Sequence, residues 1–267
     1  MPEIYGFDAF SPPEIAEKVE VVGVKKANLP LIPMVALGVL AGGFIGLGAM
    51  FFTVVASDAA LSFGGSRVLG GLVFSLGLIL VVVAGAELFT GNNLMVMAWV
   101  HRQISTRLLL RNFIVVYFAN LAGAAGLSLV VWWSHHWELG QIEETAVRIA
   151  RTKVELSFSV AFFRGLLCNV LVCLAVWLAM AGRSVTDKIL AIVFPITAFV
   201  ACGLEHCVAN MYFIPLGMLL APPDDPITLT QFIRNLVPVT LGNLVGGAGL
   251  VGLVYYVIYG RRMSENS

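Results

Sequence analysis

Long runs of apolar residues, separated by short polar segments, account for most of the chain. A run of about 20 apolar residues can cross the hydrocarbon core of a bilayer as a helix. Six runs reach this length, and they occupy approximately residues 31–56, 68–100, 108–133, 158–181, 189–220 and 236–259. The pattern therefore predicts an all-α membrane protein with six transmembrane helices in a single domain, residues 31–260.

The composition agrees with this prediction. Of the 267 residues, 59% are hydrophobic and 12% are charged, and the mean hydropathy is +0.91. Because a soluble domain has about a quarter of its residues charged, a soluble protein is excluded. We expect the lipid bilayer as a partner and no nucleic acid. The net charge of zero adds nothing further about partners.

The positive residues are distributed unevenly between the loops. Ten of the sixteen Lys and Arg residues lie in the N-terminal segment, the second loop, the fourth loop and the C-terminal segment. Since cytoplasmic loops carry the excess of positive charge, both termini are predicted to be cytoplasmic. We therefore expect a multi-pass protein of the cell (inner) membrane, with residues 261–267 as a cytoplasmic tail.

Residues 1–30 predict a further helix ahead of the first span. Ser11 is a good N-cap, with Pro12 at the first helical position and Glu14 at the third. Apolar and charged residues alternate from there to about residue 27, as in an amphipathic helix. We expect this helix to lie on the cytoplasmic membrane surface or beneath a neighbouring subunit.

Two motifs occur twice in the chain. Residues 85–92 and 203–210 both read G-x-E-x-x-x-x-N, and each interrupts an apolar run with a carboxylate. Residues 120–127 and 243–250 agree at six of eight positions, and they follow the first motifs at nearly the same distance. The chain is therefore predicted to be an internal duplication.

Each copy contains three predicted spans, at about residues 31–133 and 158–259. Because three is an odd number, the second copy enters the membrane from the opposite side, and the repeats are inverted. The motifs interrupt the second and fifth spans, so both of these helices are predicted to be broken near the midplane. A carboxylate deep in hydrocarbon is costly and usually functional, which places the expected site where the two halves meet.

Four residues of the motifs are predicted to support the helix breaks: Glu87, Asn92, Glu205 and Asn210. A break frees backbone N–H and C=O groups, which must be satisfied inside the protein. The carboxylates can accept bonds from the freed N–H groups, and the Asn side chains can both donate and accept.

Thr90 and His206 are different, because the duplication does not account for them. The position matching Thr90 is Val208, and the position matching His206 is Leu88. A residue required by the duplicated geometry would be present in both copies. An imidazole, with a reference pKa of about 6.5, is suited to proton transfer near neutral pH. These two residues are therefore candidates for the function itself.

Four long strings identify a family resemblance: A-E-L-F-T-G at 86–91, C-N-V-L-V-C-L-A-V-W at 168–177, G-L-E-H-C-V-A-N-M at 203–211 and N-L-V-P-V-T-L-G-N-L-V-G-G at 235–247. In these residues the chain resembles the formate/nitrite transporter family of anion channels. The resemblance covers nearly the whole chain. It implies an aquaporin-like fold and a homopentamer with one pore through each protomer.

The resemblance also implies a substrate pathway, formed by Thr90, His206, Phe74, Phe199, Leu78, Leu88, Asn169 and Lys153. Thr90 and His206 would face each other in a central chamber, and Asn169 would hydrogen-bond the imidazole. The two Phe residues would form the outer constriction and the two Leu residues the cytoplasmic one. Lys153 would gather anions in the outer vestibule. The sequence leaves open whether Arg164 adds to this vestibule or extends to the headgroups.

The function implied is transport of a small weak-acid anion, with proton coupling through His206. The strings of the last two spans favour formate, with nitrite as the nearest alternative and hydrosulfide, acetate and lactate left open. An alternative from another class is an intramembrane enzyme that uses Glu87, Glu205 and His206. Because no H-E-x-x-H spacing or paired nucleophile and base is present, we expect no enzyme, no metal and no cofactor.

Overall fold

The computed structural model describes residues 9–58 and 60–260, and all regular structure in these ranges is helical. The α-helices of the described chain are α1 (Pro12–Ala27), α2 (Leu31–Ala56), α3 (Phe63–Ile79), α4 (Phe89–Asn92), α5 (Val96–Val100), α6 (Thr106–Trp133), α7 (Ile142–Val154), α8 (Phe158–Ala181), α9 (Val185–Ala201), α10 (Cys207–Leu220) and α11 (Leu229–Leu244). Wider π-helical turns extend α3 to Gly85 and α11 to Gly260. The predicted tail, residues 261–267, and the first eight residues of the predicted N-terminal segment lie outside the described residues.

Five helices are long and apolar enough to cross a membrane: Leu31–Ala56, Phe63–Gly85, Thr106–Trp133, Phe158–Ala181 and Leu229–Gly260. Four of them match predicted spans in position, whereas Phe63–Gly85 covers only the first part of the predicted span 68–100, whose remainder contains α4 and α5. The other prediction, residues 189–220, falls on α9 and α10, which are shorter helices separated by a non-helical link. The chain is therefore an all-α, multi-pass membrane protein.

The helix starts follow local sequence signals. The Glu14 carboxylate accepts bonds from the N–H and the hydroxyl of Ser11, both at 2.7 Å, so the predicted start of α1 is present. At α11, Thr228 Oγ1 accepts a bond from the N–H of Gln231 at 3.3 Å, while Gln231 Oε1 accepts one from the N–H of Thr228 at 2.8 Å. Such reciprocal bonds satisfy donors that a helix start leaves free.

Two non-helical links occur at the matched G-x-E motifs. The first begins at Gly85, with φ of +84°, and the second at Gly203, with φ of +68°. Glycine adopts positive φ without the steric penalty of a Cβ atom, which explains its presence at both sites. The links then run extended to Leu88 and His206, and α4 and α10 begin at the next residue.

The two halves of the chain repeat the same packing. In the first half α2 packs most extensively on α6, and in the second α8 packs on α11. A Cβ at Gly42 would collide with the carbonyl oxygen of Asn120, and one at Gly242 with that of Phe162. Glycine therefore permits the close backbone approach in both pairs. The halves meet where α3 packs on α9 and where α10 packs on α6 and α2.

Helix α1 packs against the same chain. Its residues Ile15 and Val19 are buried in a cluster with Met97 and Trp177. Lys26, in its last turn, reaches the link that precedes α4, where it contacts Glu87. The apolar face of α1 thus covers one end of the helical domain.

Candidate functional site

Thr90 and His206 meet at the centre of the protein. The distance between Thr90 Oγ1 and His206 Nε2 is 3.0 Å, although the residues are 116 positions apart. Both side chains are buried. The first link places Thr90 in the opening turn of α4, and the second makes His206 the N-cap of α10. The two motifs therefore bring the pair together, as the sequence analysis predicts.

The hydrogen bonds of His206 define its neutral tautomer. Its Nδ1 accepts a bond from the backbone N–H of Ala209 at 3.1 Å. A neutral imidazole has one donor and one acceptor nitrogen, so the proton lies on Nε2, facing Thr90. The Thr90 oxygen can accept this bond and still donate its own hydroxyl proton to a third group. The pair can therefore donate hydrogen bonds to a small acceptor between two helix starts.

Apolar side chains close the site on both sides. The rings of Phe74 and Phe199 meet edge to face, with centroids 5.5 Å apart, and Phe199 also stacks on the His206 ring at 5.9 Å. Leu78 and Leu88 are buried and line a cavity on the opposite side of the site. The structure thus places Phe74 and Phe199 beside His206, and it brings Leu78 and Leu88 together at a second cavity.

Each pair, the two Phe residues and the two Leu residues, lines a separate cavity. The Lys153 cavity, of about 420 Å³, is lined by Phe74, Phe199, His206 and Lys153 among others. The Lys26 cavity, also of about 420 Å³, is lined by Leu78, Leu88, Glu87 and Lys26 among others. Neither cavity includes Thr90, which lies between them with no exposed surface. The two cavities and the site form a discontinuous path.

The Lys153 cavity is strongly cationic. Three Arg residues line it in addition to Lys153, and one lining residue, Glu205, carries a carboxylate. One of them, Arg67, is held by a 2.9 Å bond from Nε to the carbonyl of Ala201 at the end of α9. Another is Arg164, which also lines the cavity. Such a charge distribution makes the electrostatic potential of this cavity favourable to small anions.

The link before α4 carries a buried polar cluster. Lys26 Nζ donates to Glu87 Oε1 at 2.7 Å and to Asn92 Oδ1 at 2.9 Å. The Asn92 amide donates to Glu87 Oε2 at 2.7 Å and to Asn112 Oδ1 at 2.9 Å. Finally, Asn112 Nδ2 donates to the carbonyl of Lys26 at 3.3 Å, which closes the cluster.

The same cluster is present at the second link. Lys153 Nζ donates to Glu205 Oε1 at 2.9 Å, and Asn210 Nδ2 donates to Glu205 Oε2 at 2.7 Å and to Asn235 Oδ1 at 2.8 Å. Asn235 Nδ2 donates to the carbonyl of Lys153 at 2.7 Å. Lys153 therefore has a counterpart, Lys26, which the sequence analysis did not identify.

The two carboxylates do not accept bonds from freed backbone N–H groups, contrary to the prediction. Each is bonded to a lysine and an Asn amide, because a buried carboxylate is better satisfied by a cation than by a neutral donor. The freed backbone groups are instead satisfied by Asn120 and Asn243. Asn120 accepts from the N–H of Phe89 at 2.9 Å and donates to the carbonyl of Glu87 at 2.8 Å.

Asn243 performs the equivalent task at the second link. It accepts from the N–H of Cys207 and donates to the carbonyl of Glu205, both at 2.9 Å. Sequence reasoning assigned no role to Asn120 and Asn243, although both begin the second repeated string. The repeat of these two positions is the sequence signal that could have predicted a shared structural role.

Asn169 also differs from the prediction. Its amide donates to the backbone carbonyls of Asn243, at 2.7 Å, and Thr90, at 3.3 Å, rather than to the imidazole. The His206 ring is already bonded at both nitrogens, by Ala209 and Thr90. Asn169 therefore fixes the backbone of the Thr90 link, and its Oδ1 is buried with no hydrogen-bond partner among the described residues.

Comparison with known proteins agrees with this geometry. A sequence model of the formate/nitrite transporter family matches residues 13–257. The chain belongs to the formate/nitrite transporter family. It is 39% identical over 264 residues to the formate channel FocA of Haemophilus influenzae, covering 92% of this chain and 93% of that protein. The family consists of transporters and this relative is a channel, so the enzyme alternative is wrong.

Solved structures agree as well. One, described as a pentameric formate channel with formate bound, superposes with a TM-score of 0.78 at 37% identity, covering 86% of this chain and 97% of that one. Another, described as an ion channel of the same family, gives a TM-score of 0.84 at 30% identity, covering 92% and 98%. The fold of this chain is therefore that of a formate/nitrite-family channel.

Proposed function

We propose that the protein conducts formate across the membrane through a pore in each protomer. The observation that carries the proposal is the buried Thr90–His206 pair, enclosed by apolar constrictions and reached from a cavity on either side. Formate is small enough for such a constriction and can accept hydrogen bonds from both side chains. The formate channels among the relatives and structural neighbours support this choice of anion.

The pathway begins with attraction in the cationic Lys153 cavity. A bare anion is costly in the slot between Phe74 and Phe199, because no water can solvate it there. At the site, the Nε2–H of His206 and the hydroxyl of Thr90 donate to the anion. A proton that enters with the anion from the Lys153 side and reaches it at the hydrogen bond to His206 Nε2 would convert formate to the neutral acid. The acid would leave past Leu78 and Leu88 while His206 returns to its neutral form. His206 is thus proposed to couple proton entry to formate transport.

The proposed architecture has six spans in two inverted repeats, with the second and fifth interrupted at the links. The matched clusters around Lys26 and Lys153 support the duplication. Because α1 and α7 supply these two lysines, we extend the repeats to include both helices. The domain limits, the cytoplasmic termini, the inner-membrane location and the homopentamer belong to the same proposal.

Flux into proteoliposomes of the purified protein tests the proposal. Formate should enter faster than nitrite, hydrosulfide, acetate or lactate, and internal pH should fall with it. Preference for nitrite or hydrosulfide would overturn the choice of substrate, and no flux of any of these anions would overturn the channel. Native mass measurement should give a pentamer. A stable monomer or trimer as the main species would overturn the assembly.

A further inference from the structure

A groove separate from the anion pathway opens between α1, α8, α9 and the extension of α11. Its volume is about 420 Å³, and it shares no lining residue with the Lys26 or Lys153 cavity. The walls are apolar and aromatic, and they include Ile15, Leu174, Trp177, Phe194 and Tyr255. Phe194 is 76% exposed, so the groove is open on the outer surface of the helical domain.

The position of the groove along α8 places it inside the bilayer. Its lining runs from Leu171 to Leu178, about 10 Å along the helix axis, and α8 ends shortly after, at Ala181. The deep end of the groove therefore lies about 15 Å from the end of a helix that spans the membrane. Trp177 and Tyr255, stacked at 4.1 Å, form a flat aromatic wall. Such a groove fits an extended hydrocarbon chain.

Three cations surround the end of the groove near Ala181. Lys18 lies one turn beyond Ile15 on the same face of α1, and its Nζ donates to the carbonyl of Met180 at 3.0 Å. The Lys18 ammonium and the Arg183 guanidinium both contact the Phe10 ring, at 3.7 and 4.6 Å from its centroid. Burial, and then the positive charges of Lys188 and Arg183, lower the pKa of Lys18. Lys18 and Arg183 therefore form one patch around the Phe10 ring, and Lys188 is close enough to act on the charge of Lys18.

Two carboxylates near this patch, Glu14 and Asp187, accept hydrogen bonds at helix starts and keep their negative charges. Glu14 accepts two bonds from Ser11 at the start of α1. Asp187 accepts from the backbone N–H groups of Arg183, at 3.0 Å, and Ser184, at 2.9 Å. Within residues 9–58 and 60–260, none of the three cations forms an ion pair. Three cations against two carboxylates leave the patch with an excess of one positive charge, and its cationic groups, having no ion-pair partner in the described chain, can bind an anion.

We propose that the groove binds an anionic phospholipid, with an acyl chain along α8 and the phosphate between Lys18, Arg183 and Lys188. Basic pockets between membrane helices at the headgroup level bind anionic lipids in this way. Since α1 supplies both an apolar wall and a cation, the lipid would hold α1 against α8. The proposal does not depend on which anion the pore conducts.

The test is lipid binding by native mass spectrometry, on delipidated protein titrated with phosphatidylglycerol or phosphatidylcholine. Phosphatidylglycerol should bind more tightly than phosphatidylcholine to the wild type. Lys18→Gln with Arg183→Gln should lower its affinity about fivefold per removed charge. The matched control, Arg107→Gln with Arg111→Gln, removes two cations from the start of α6 and should bind as the wild type does.

A second variant tests the groove itself. Leu174→Trp should fill it and remove the tightest phosphatidylglycerol site without changing the size of the oligomer. Equal affinity of the wild type for the two lipids, or a charge variant that matches its control, would overturn the proposal. A Leu174→Trp protein that still binds phosphatidylglycerol would do the same. A change in oligomer size would indicate that a second copy of the chain occupies the groove, which also overturns it.

Discussion

Replacing Asn243 with Ala should destabilise the whole protein, because two backbone groups would lose their partners. The N–H of Cys207 and the carbonyl of Glu205 are bonded by the Asn243 side chain, and the residue is completely buried. The third partner, the carbonyl of Gly165, lies inside α8 and keeps its helical bond. Asn120→Ala should have the same effect at the first link.

The magnitude follows from the number of groups left unpaired. Each buried N–H or C=O without a partner costs about 1–3 kcal/mol, so the pair costs at least about 2 kcal/mol. For a chain of this length, 1 kcal/mol shifts Tm by roughly 2–4 °C, which gives a decrease of at least about 4–8 °C. The measurement is thermal unfolding of the purified oligomer, with formate flux determined on the same preparation.

Ser128→Ala is the matched control. Ser128 is equally buried and donates to the carbonyls of Ala124, at 3.1 Å, and Tyr212, at 3.0 Å. Both of these carbonyls lie inside helices, so the substitution leaves no group without a bond, and Tm should change little. If Asn243→Ala melts with the wild type, or Ser128→Ala melts as low as Asn243→Ala, the account of the links is wrong.

Three further predictions concern the pathway and α1. His206→Phe should assemble but lose formate flux, whereas His206→Asn should keep anion leakage without proton entry; wild-type uptake without proton entry would contradict this. Phe74→Ala or Phe199→Ala should raise the flux of lactate relative to formate, and unchanged selectivity would show that these rings do not line the pore. Burial raises the pKa of Glu20 above its ordinary value of 4.5. The folded state therefore favours protonated Glu20; the resulting stability is fully present below pH 4.5 and is lost as pH rises through the folded pKa. Thermal unfolding of Glu20→Gln across this pH range should lack that loss, and an unchanged profile would exclude Glu20 as its source.

Much of the helical architecture could be predicted from hydropathy. Helices Leu31–Ala56 and Phe158–Ala181 have the bounds that the apolar runs predict. Hydropathy alone did not divide the runs at 68–100 and 189–220, because the residues on both sides of each link are apolar. The division depends on backbone conformation, at Gly85 and Gly203, and on polar groups that bond across helices.

The central residues were predictable because they lie within the repeated motifs. The supporting residues were harder to predict, because their bonds join distant parts of the chain. Asn243 bonds residues 36 and 38 positions away. Lys26, which lies outside any apolar run, bonds Glu87, 61 positions away. A sequence repeat shows that such a residue matters to both halves, but it does not show which groups the side chain contacts.

The two links also provide an internal control for the role of His206. Its Nδ1 caps α10 by accepting from Ala209, whereas its counterpart Leu88 provides α4 with no side-chain cap. Helix α4 begins at the equivalent residue all the same, and the first N–H of each helix is satisfied by an Asn, Asn120 for α4 and Asn243 for α10. The cap is therefore dispensable for building a link. What the imidazole adds to its half of the protein is the Nε2 donor that faces Thr90, which supports its assignment to the passing anion.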